Sequence, residues 1–132
     1  MGVELLNLAA AFPATTRGGE YAPQLTQVRG ARVSGVYAIA ERRSRRVLYV
    51  GESHTGRLYD TITRHFREWR TDPRQDAQGR RRGGTMYDRA DVLVAFVITE
   101  DDAAQAFQFA EISRLQPRDN QVSGDSVDGI PV

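Results

Sequence analysis

Two tripeptides that mirror each other place the strongest constraint on the fold: Gly35-Val36-Tyr37 and Tyr49-Val50-Gly51. They lie in segments, from Arg32 to Ala40 and from Val47 to Val50, where β-branched and aromatic residues alternate with small ones. The polar, arginine-rich stretch between these segments is typical of a hairpin loop. The sequence therefore predicts an antiparallel β-hairpin.

The register of this hairpin determines where its two motif tyrosines point. If the loop is centred on Arg43, Tyr37 and Tyr49 lie directly opposite each other, and opposed residues share a face of the sheet. A shift of one residue would send the two phenols to opposite faces. Ordinary packing of two aromatic rings on neighbouring strands is the alternative interpretation.

Length and composition indicate one small α/β domain. The chain has 132 residues, of which 40% are hydrophobic, and it contains no cysteine, which excludes disulfides and thiolate metal sites. No basic start followed by a long apolar run is present, so we expect a cytoplasmic protein without a membrane partner. We expect an N-terminal lead-in segment at 1–30, the domain at 31–122 and a C-terminal tail at 123–132.

Charge is distributed unevenly along the chain. Residues 31–90 hold 14 arginines against 7 acidic residues, whereas residues 91–132 hold 2 arginines against 8. A basic middle indicates a polyanionic partner, because guanidinium groups offer paired donors to phosphate oxygens. Solvated loops are an equally plausible interpretation of each basic run alone. The candidate nucleic-acid-binding residues are Arg42, Arg43, Arg45, Arg46, Arg64, Arg80, Arg81 and Arg82.

A helix is predicted after the hairpin. Leu58, Ile62, Phe66 and Trp69 recur at helical spacing and form one apolar stripe, with His65 at its edge. Ser53 or Thr55 is the expected cap of this helix. The residues from Thr71 to Thr85 are rich in glycine and charge, which predicts a long loop.

The C-terminal half predicts one more strand and one more helix. The nearly unbroken apolar run Val92–Thr99 indicates a strand covered on both faces at the centre of the sheet. The helix is expected to start near Asp101 or Asp102 and to end before Pro117.

One carboxylate interrupts the apolar stripe of this second helix. Ala104, Phe107, Glu111 and Leu115 fall on one face, so Glu111 points toward the core. An unpaired buried carboxylate costs on the order of several kcal/mol. Glu111 therefore needs a partner, and a structural salt bridge and a metal or catalytic role are equally consistent with helix geometry.

These residues together resemble the GIY-YIG nuclease family. The resemblance covers roughly residues 33–120 and consists of the two tripeptides, a helix with His65, then Glu111, Pro117 and Asn120. It implies an α/β domain with a small three-stranded antiparallel sheet flanked by helices. It also implies a phosphodiester hydrolase that acts on DNA with one divalent metal ion, Mg²⁺ or Mn²⁺.

The resemblance also implies roles for individual residues. Tyr37 matches the tyrosine near the attacking water, often proposed as general base, and Tyr49 matches one that positions water or phosphate. His65 would hold Tyr37 in its reactive protonation state, Glu111 matches the metal ligand, and Asn120 matches an asparagine that supports the site.

One position departs from the family pattern. The family has an arginine four residues before the histidine, where this chain has Thr61. Arg57 is the preferred substitute on the same flank, ahead of Arg64 and Arg89. If none of them reaches the phosphate, the alternative is a catalytically weak or inactive nucleic-acid-binding module. A single small domain has little room for sequence specificity, which a homodimer or a partner protein would then supply.

Overall fold

The computed structural model describes residues 6–66 and 87–120. These residues form four strands, three α-helices and four short 3₁₀ turns. The strands are β1 (Phe12–Pro13), β2 (Ser34–Glu41), β3 (Val47–Ser53) and β4 (Val92–Thr99), and the helices are α1 (Pro23–Thr26), α2 (Leu58–Thr63) and α3 (Ala104–Leu115). The 3₁₀ turns are Leu8–Ala10, Arg64–Phe66, Arg89–Asp91 and Asp101–Ala103.

The sheet is antiparallel and has four strands in the order β1-β4-β2-β3. The α/β class and the antiparallel pairing are confirmed, but the predicted count of three strands is wrong. The extra strand is β1, in which Phe12 pairs with Val94. Only two residues take part, too few for alternation to be visible in the sequence. Within residues 6–30, Phe12 joins the sheet, and Phe12, Ala14, Ala22 and Leu25 are buried in the core.

The hairpin forms where it was predicted, but its register differs by two residues. Tyr37 lies opposite Gly51, and Tyr49 lies opposite Ile39. The loop is centred on Ser44. Its hydroxyl donates a hydrogen bond to the Glu41 carboxylate and accepts one from the backbone N–H of Arg46. A shift of two preserves side-chain orientation, so both tyrosines still project from the same face.

The two faces of the sheet are covered by different helices. On the α2 side, Leu58 and Ile62 are fully buried and pack with Tyr37 and Ile39. On the other side, partly buried apolar residues of α3 pack against a second cluster from β2 and β3. We call these the α2-side core and the α3-side core. The second contains Val36, Ala38, Val47 and Val50 from the strands, and Phe107, Ile112 and Leu115 from α3.

The central position of the sheet belongs to β2 more than to β4. All residues of β2 except Glu41 are buried, whereas β4 is buried from Val92 to Ala95 and half of Ile98 is exposed. The prediction that β4 is covered on both faces therefore holds only for its first half. The reason is that β1 pairs with the first half alone.

Both predicted helix ends can be compared with the structure. The α3 helix ends at Leu115, before Pro117, as expected. Its N-terminus begins at Ala104 after a 3₁₀ turn, without a side-chain cap. Neither Ser53 nor Thr55 is the N-cap of α2, because Arg57 occupies that position. The Ser53 hydroxyl does accept a hydrogen bond from the backbone N–H of Arg57. In the described part of the chain no helix is long and apolar enough to cross a membrane.

Candidate active site

The two motif tyrosines and the helix histidine converge on the α2 side of the sheet. The Tyr37 hydroxyl lies 2.7 Å from His65 Nε2. The Tyr49 ring lies 4.8 Å from the imidazole and 6.2 Å from the Tyr37 ring, between centroids. His65 comes from the 3₁₀ turn that continues α2, and it is 5% exposed. The structure therefore brings these three side chains together.

The motif glycines allow this arrangement because a side chain at either position would collide. A Cβ at Gly51 would strike the Tyr37 hydroxyl and lie 2.5 Å from its Cζ atom. A Cβ at Gly35 would strike the carbonyl oxygen of Val97 on the neighbouring strand. Gly51 therefore makes room for the Tyr37 ring, and Gly35 permits close approach of β4.

Electrostatics keeps both phenols protonated. Burial, reinforced by the neighbouring Tyr49 and Glu52, raises the pKa of Tyr37 well above its ordinary value, and Arg64 opposes this shift. Burial and then Glu52 also raise the pKa of Tyr49. The Tyr37 hydroxyl is thus protonated at neutral pH and shares a hydrogen bond with His65 Nε2. When the phenol donates in this bond, the imidazole carries its proton on Nδ1.

A third tyrosine, which sequence reasoning did not single out, completes the cluster. The Tyr87 ring lies 5.9 Å from His65, and its backbone N–H donates to the His65 carbonyl. Its hydroxyl donates to Asp119 Oδ2 at 2.5 Å. Burial, this hydrogen bond and the Asp119 charge raise the pKa of Tyr87. Burial would raise the pKa of Asp119, but hydrogen bonds from Arg118 and Tyr87 outweigh it and lower that pKa.

A signal for Tyr87 and Asp119 was faint in the sequence. Tyr87 follows a long polar segment, and Asp119 lies between Pro117 and Asn120. Neither position belongs to a periodic pattern. Only the approach of residues 118–120, which follow α3, to the hairpin makes them neighbours.

Glu111 lies elsewhere. It is on α3, whose apolar side chains pack on the α3-side core, and Val36 and Ala38 of that core alternate with Tyr37 along β2. Its carboxylate is 2% exposed and accepts hydrogen bonds from Arg114, at 2.5 Å from Nη2 and 3.2 Å from Nε. The Arg114 guanidinium also donates to the Leu6 carbonyl. Of the two interpretations of Glu111, the structure thus shows the salt bridge, with Arg114 as the partner. Glu111 lies on the other side of the sheet from the tyrosines.

The carboxylate whose charge reaches the tyrosines is instead Glu52. It raises the pKa of both Tyr37 and Tyr49 and is partly buried on the edge strand β3. Its two oxygens lie 3.1 and 3.2 Å from His54 Nδ1. Glu52 gives no signal in the sequence, because it stands in a polar segment without periodicity.

Among the arginines near α2, Arg64 is the one whose charge lowers the pKa of Tyr37. Arg57 caps the start of α2, and its carbonyl accepts the hydroxyl of Thr61. Both guanidinium-bearing residues are exposed. Of these two arginines, Arg64 is therefore the better candidate for a positive charge that acts at the Tyr37 hydroxyl.

Part of the predicted basic surface has a structural role. Arg42 donates to the Ala90 carbonyl, and Arg45 donates to the Leu8 carbonyl. Arg43 and Arg46 are exposed at the same hairpin loop. The remaining predicted run, Arg80, Arg81 and Arg82, lies outside the described residues, as do Trp69 and the predicted loop from Thr71 to Thr85.

Asn120 binds the backbone of the hairpin. Its side-chain oxygen accepts from Val50 N–H at 2.8 Å, and its side-chain nitrogen donates to the Val50 carbonyl at 3.0 Å. The backbone N–H groups of Arg118 and Asp119 donate to carbonyls of the same strand. Residues 118–120 thus cover the open edge of β3, the strand that carries Tyr49.

Comparison of the chain with known proteins adds no family assignment: no protein-family model, no curated protein and no solved structure matches it.

Proposed function

We propose that this chain is a GIY-YIG-type nuclease domain that hydrolyses phosphodiester bonds of DNA. The observation that carries the proposal is the 2.7 Å contact between the Tyr37 hydroxyl and His65 Nε2, with the Tyr49 ring beside it. These side chains come from three separate parts of the sequence. The resemblance to the family named the same three residues as reacting groups.

The raised pKa of Tyr37 determines whether Tyr37 or His65 is the net proton acceptor. A phenol whose pKa exceeds its usual value of about 10 is a poor base by itself at neutral pH. In the proposed step, the water oxygen bonds to phosphorus while the Tyr37 oxygen takes a proton from that water and passes its own proton to His65 Nε2. The P–O bond to the leaving sugar oxygen breaks, and that oxygen takes a proton from solvent. The imidazole is then the net proton acceptor, and Tyr37 transmits the proton.

Access to the reacting hydroxyl requires a change around the site. Tyr37 is 1% exposed, whereas Tyr49 is only half-buried. Substrate therefore meets Tyr49 first, and Tyr49 is the residue placed to orient a phosphate or water. Exclusion of bulk water from the Tyr37–His65 pair strengthens their hydrogen bond.

The divalent metal that the resemblance implies does not fit Glu111 as it is arranged. The Arg114 guanidinium occupies both carboxylate oxygens, and the residue lies on the α3 side of the sheet. Within residues 6–66 and 87–120, no cluster of three or more metal-ligating side chains is present. The role of Mg²⁺ or Mn²⁺ remains a prediction, and no step above depends on it.

The pairing of the buried Glu111 carboxylate with Arg114 favours a second candidate function. A domain with these tyrosines but without a free carboxylate would bind nucleic acid and cut it slowly or not at all. In that case Tyr37, Tyr49 and His65 would be packing residues of a recognition module. Binding without cleavage would distinguish this function from the first.

The test is a cleavage panel of duplex, flap, branched and single-stranded DNA and RNA at one fixed salt concentration. Each substrate is incubated with Mg²⁺, with Mn²⁺ and with EDTA. Tyr37→Phe keeps the ring and removes the hydroxyl, and we expect it to lower the rate roughly 10²-fold or more. Phe109→Leu, at an exposed position on the outer face of α3, is the control and should cleave like the native chain. Equal rates for Tyr37→Phe and the native chain would reject the nuclease proposal.

The same assay tests which arginine donates hydrogen bonds to the scissile phosphate. Arg64→Gln and Arg57→Gln remove one charge each from exposed positions. We expect Arg64→Gln to lower cleavage more, because its charge acts on the Tyr37 hydroxyl. A larger loss in Arg57→Gln would restore the preference drawn from the sequence.

A further inference from the structure

A cleft of about 550 Å³ lies on the α2 side of the fold, apart from the Tyr37–His65 pair. It is formed by the turn before Tyr21, by α1, by Tyr59 of α2 and by the 3₁₀ turn at Arg89. Its walls combine aromatic rings with guanidinium groups. This cleft belongs to no motif of the family resemblance.

The aromatic and cationic groups in the cleft are held in place by one another. The rings of Tyr21 and Tyr59 meet edge to face at 6.2 Å between centroids. The Arg89 guanidinium carbon lies 5.2 Å from the centre of the Tyr21 ring, and the Arg29 guanidinium carbon lies 6.0 Å from the centre of the Tyr59 ring. Stacking on a ring leaves the N–H edges of a guanidinium available for hydrogen bonds.

Charge in the cleft favours an anion. Two arginines face one carboxylate, Glu20, in the lining. Among the described residues, neither Arg29 nor Arg89 forms an ion pair with a carboxylate. Both side chains are exposed, so their donors are available to an incoming phosphate.

We infer that this cleft is a binding subsite for a single-stranded segment of nucleic acid. A base stacks on the exposed part of Tyr21 or Tyr59, and the adjoining phosphates accept hydrogen bonds from Arg29 and Arg89. Aromatic platforms together with guanidinium groups recognise the two parts of a nucleotide, whereas free phosphate would use only the arginines.

The subsite is connected to the candidate active site. The Tyr21 ring lies 6.1 Å from the Phe66 ring, and Phe66 directly follows His65 in the chain. The cleft therefore lies next to the turn that carries His65, as a strand that serves both sites would require. This part of the inference rests on the proposed function, but binding in the cleft does not require cleavage.

The test is fluorescence anisotropy with a labelled short oligo(dT), with EDTA present to prevent metal-dependent cleavage. The double variant Arg29→Gln, Arg89→Gln should weaken binding about tenfold and reduce the salt dependence, with a loss of roughly 0.7 in log–log slope per phosphate contact. The control is Arg32→Gln, which removes one charge from an exposed position outside the cleft.

Stacking is tested with an abasic strand of the same length. The native chain should bind oligo(dT) about tenfold more tightly than the abasic strand. Tyr59→Ser should remove this difference, while Tyr59→Phe should keep it. Thermal unfolding of each variant verifies that it is folded.

The outcomes separate this inference from the proposed nuclease. Loss of binding in the cleft variants, with no cleavage by the native chain, supports the subsite and rejects the nuclease. Native affinity in the double variant, or equal affinity for the abasic strand, overturns the subsite even if the chain cleaves DNA. Competition by inorganic phosphate without any base dependence would likewise overturn it.

Discussion

Replacement of Gly51 by alanine tests whether the motif glycine exists to accommodate Tyr37. The new Cβ would lie 2.5 Å from Cζ and 2.9 Å from Cε1 of the Tyr37 ring, closer than such atoms approach in proteins. The backbone of β3 has little freedom to retreat. It is paired with β2 on one side and hydrogen-bonded to residues 118–120 on the other. The ring must therefore move.

The cost has two parts. Overpacking of a buried site costs about 1–3 kcal/mol. Displacement of the phenol also lengthens its 2.7 Å hydrogen bond to His65, which is worth about 1 kcal/mol net. We expect the free energy of unfolding to fall by about 2–4 kcal/mol and the melting temperature by about 10 °C.

Urea and thermal unfolding measure this loss, with Gly18→Ala as the matched control. At Gly18 the nearest atom to a new Cβ is the Thr16 hydroxyl oxygen, at 3.9 Å, so that change should stay within about 0.5 kcal/mol. Combined with Tyr37→Phe, which removes the nearest clashing atom, Gly51→Ala should cost less than the sum of the single changes. Equal stability of the two alanine variants would refute the reasoning.

Three further predictions concern stability. Tyr87→Phe removes the hydrogen bond to the Asp119 carboxylate, and should cost about 1.5 kcal/mol near neutral pH. Because the folded pKa of Asp119 is lowered, this stabilisation is present above its unfolded pKa and is lost as pH falls through the folded value. Urea unfolding at acidic and neutral pH should show the cost shrink toward acid. For Tyr37 the folded pKa is raised, so its contribution is present below the unfolded pKa of about 10 and is lost as pH rises. The stability advantage of the native chain over Tyr37→Phe should shrink in alkaline unfolding, and a constant advantage would contradict this. Arg114→Ala leaves the Glu111 carboxylate without its guanidinium partner. Because 41% of the Arg114 side chain is exposed, the cost should be about 1–2 kcal/mol. The double change Glu111→Leu, Arg114→Ala should recover most of that loss, and no recovery would show that the pair is not coupled.

Local patterns predicted much of the architecture. Alternation around the mirrored tripeptides predicted the hairpin, and the spacing of Leu58, Ile62 and Phe66 predicted which side of α2 is buried. The run Val92–Thr99 predicted β4. These signals are strong because side-chain direction repeats with a fixed period within one element.

The spacing of apolar residues predicted less about very short strands and about the register of the hairpin. Only two residues of β1 pair with β4, and alternation cannot be recognised over that length. The hairpin register depended on the loop, in which Arg45 adopts a left-handed conformation with φ of 63°. A residue other than glycine in that conformation gives little signal in the sequence.

The sequence by itself determined which side chains are available: two phenols on one face of a hairpin, a histidine on the following helix and an acid on a buried helix face. Tertiary structure decided which of them meet. Tyr37, Tyr49 and His65 share the α2 side of the sheet, whereas α3 crosses the opposite side and holds Glu111 there. The Glu111–Arg114 pair itself is local to α3, at positions i and i+3. The physical reason is that the spacing of apolar residues predicts which face of a helix is buried, but it does not predict which face of the sheet the helix packs against. That choice follows from packing of the whole chain.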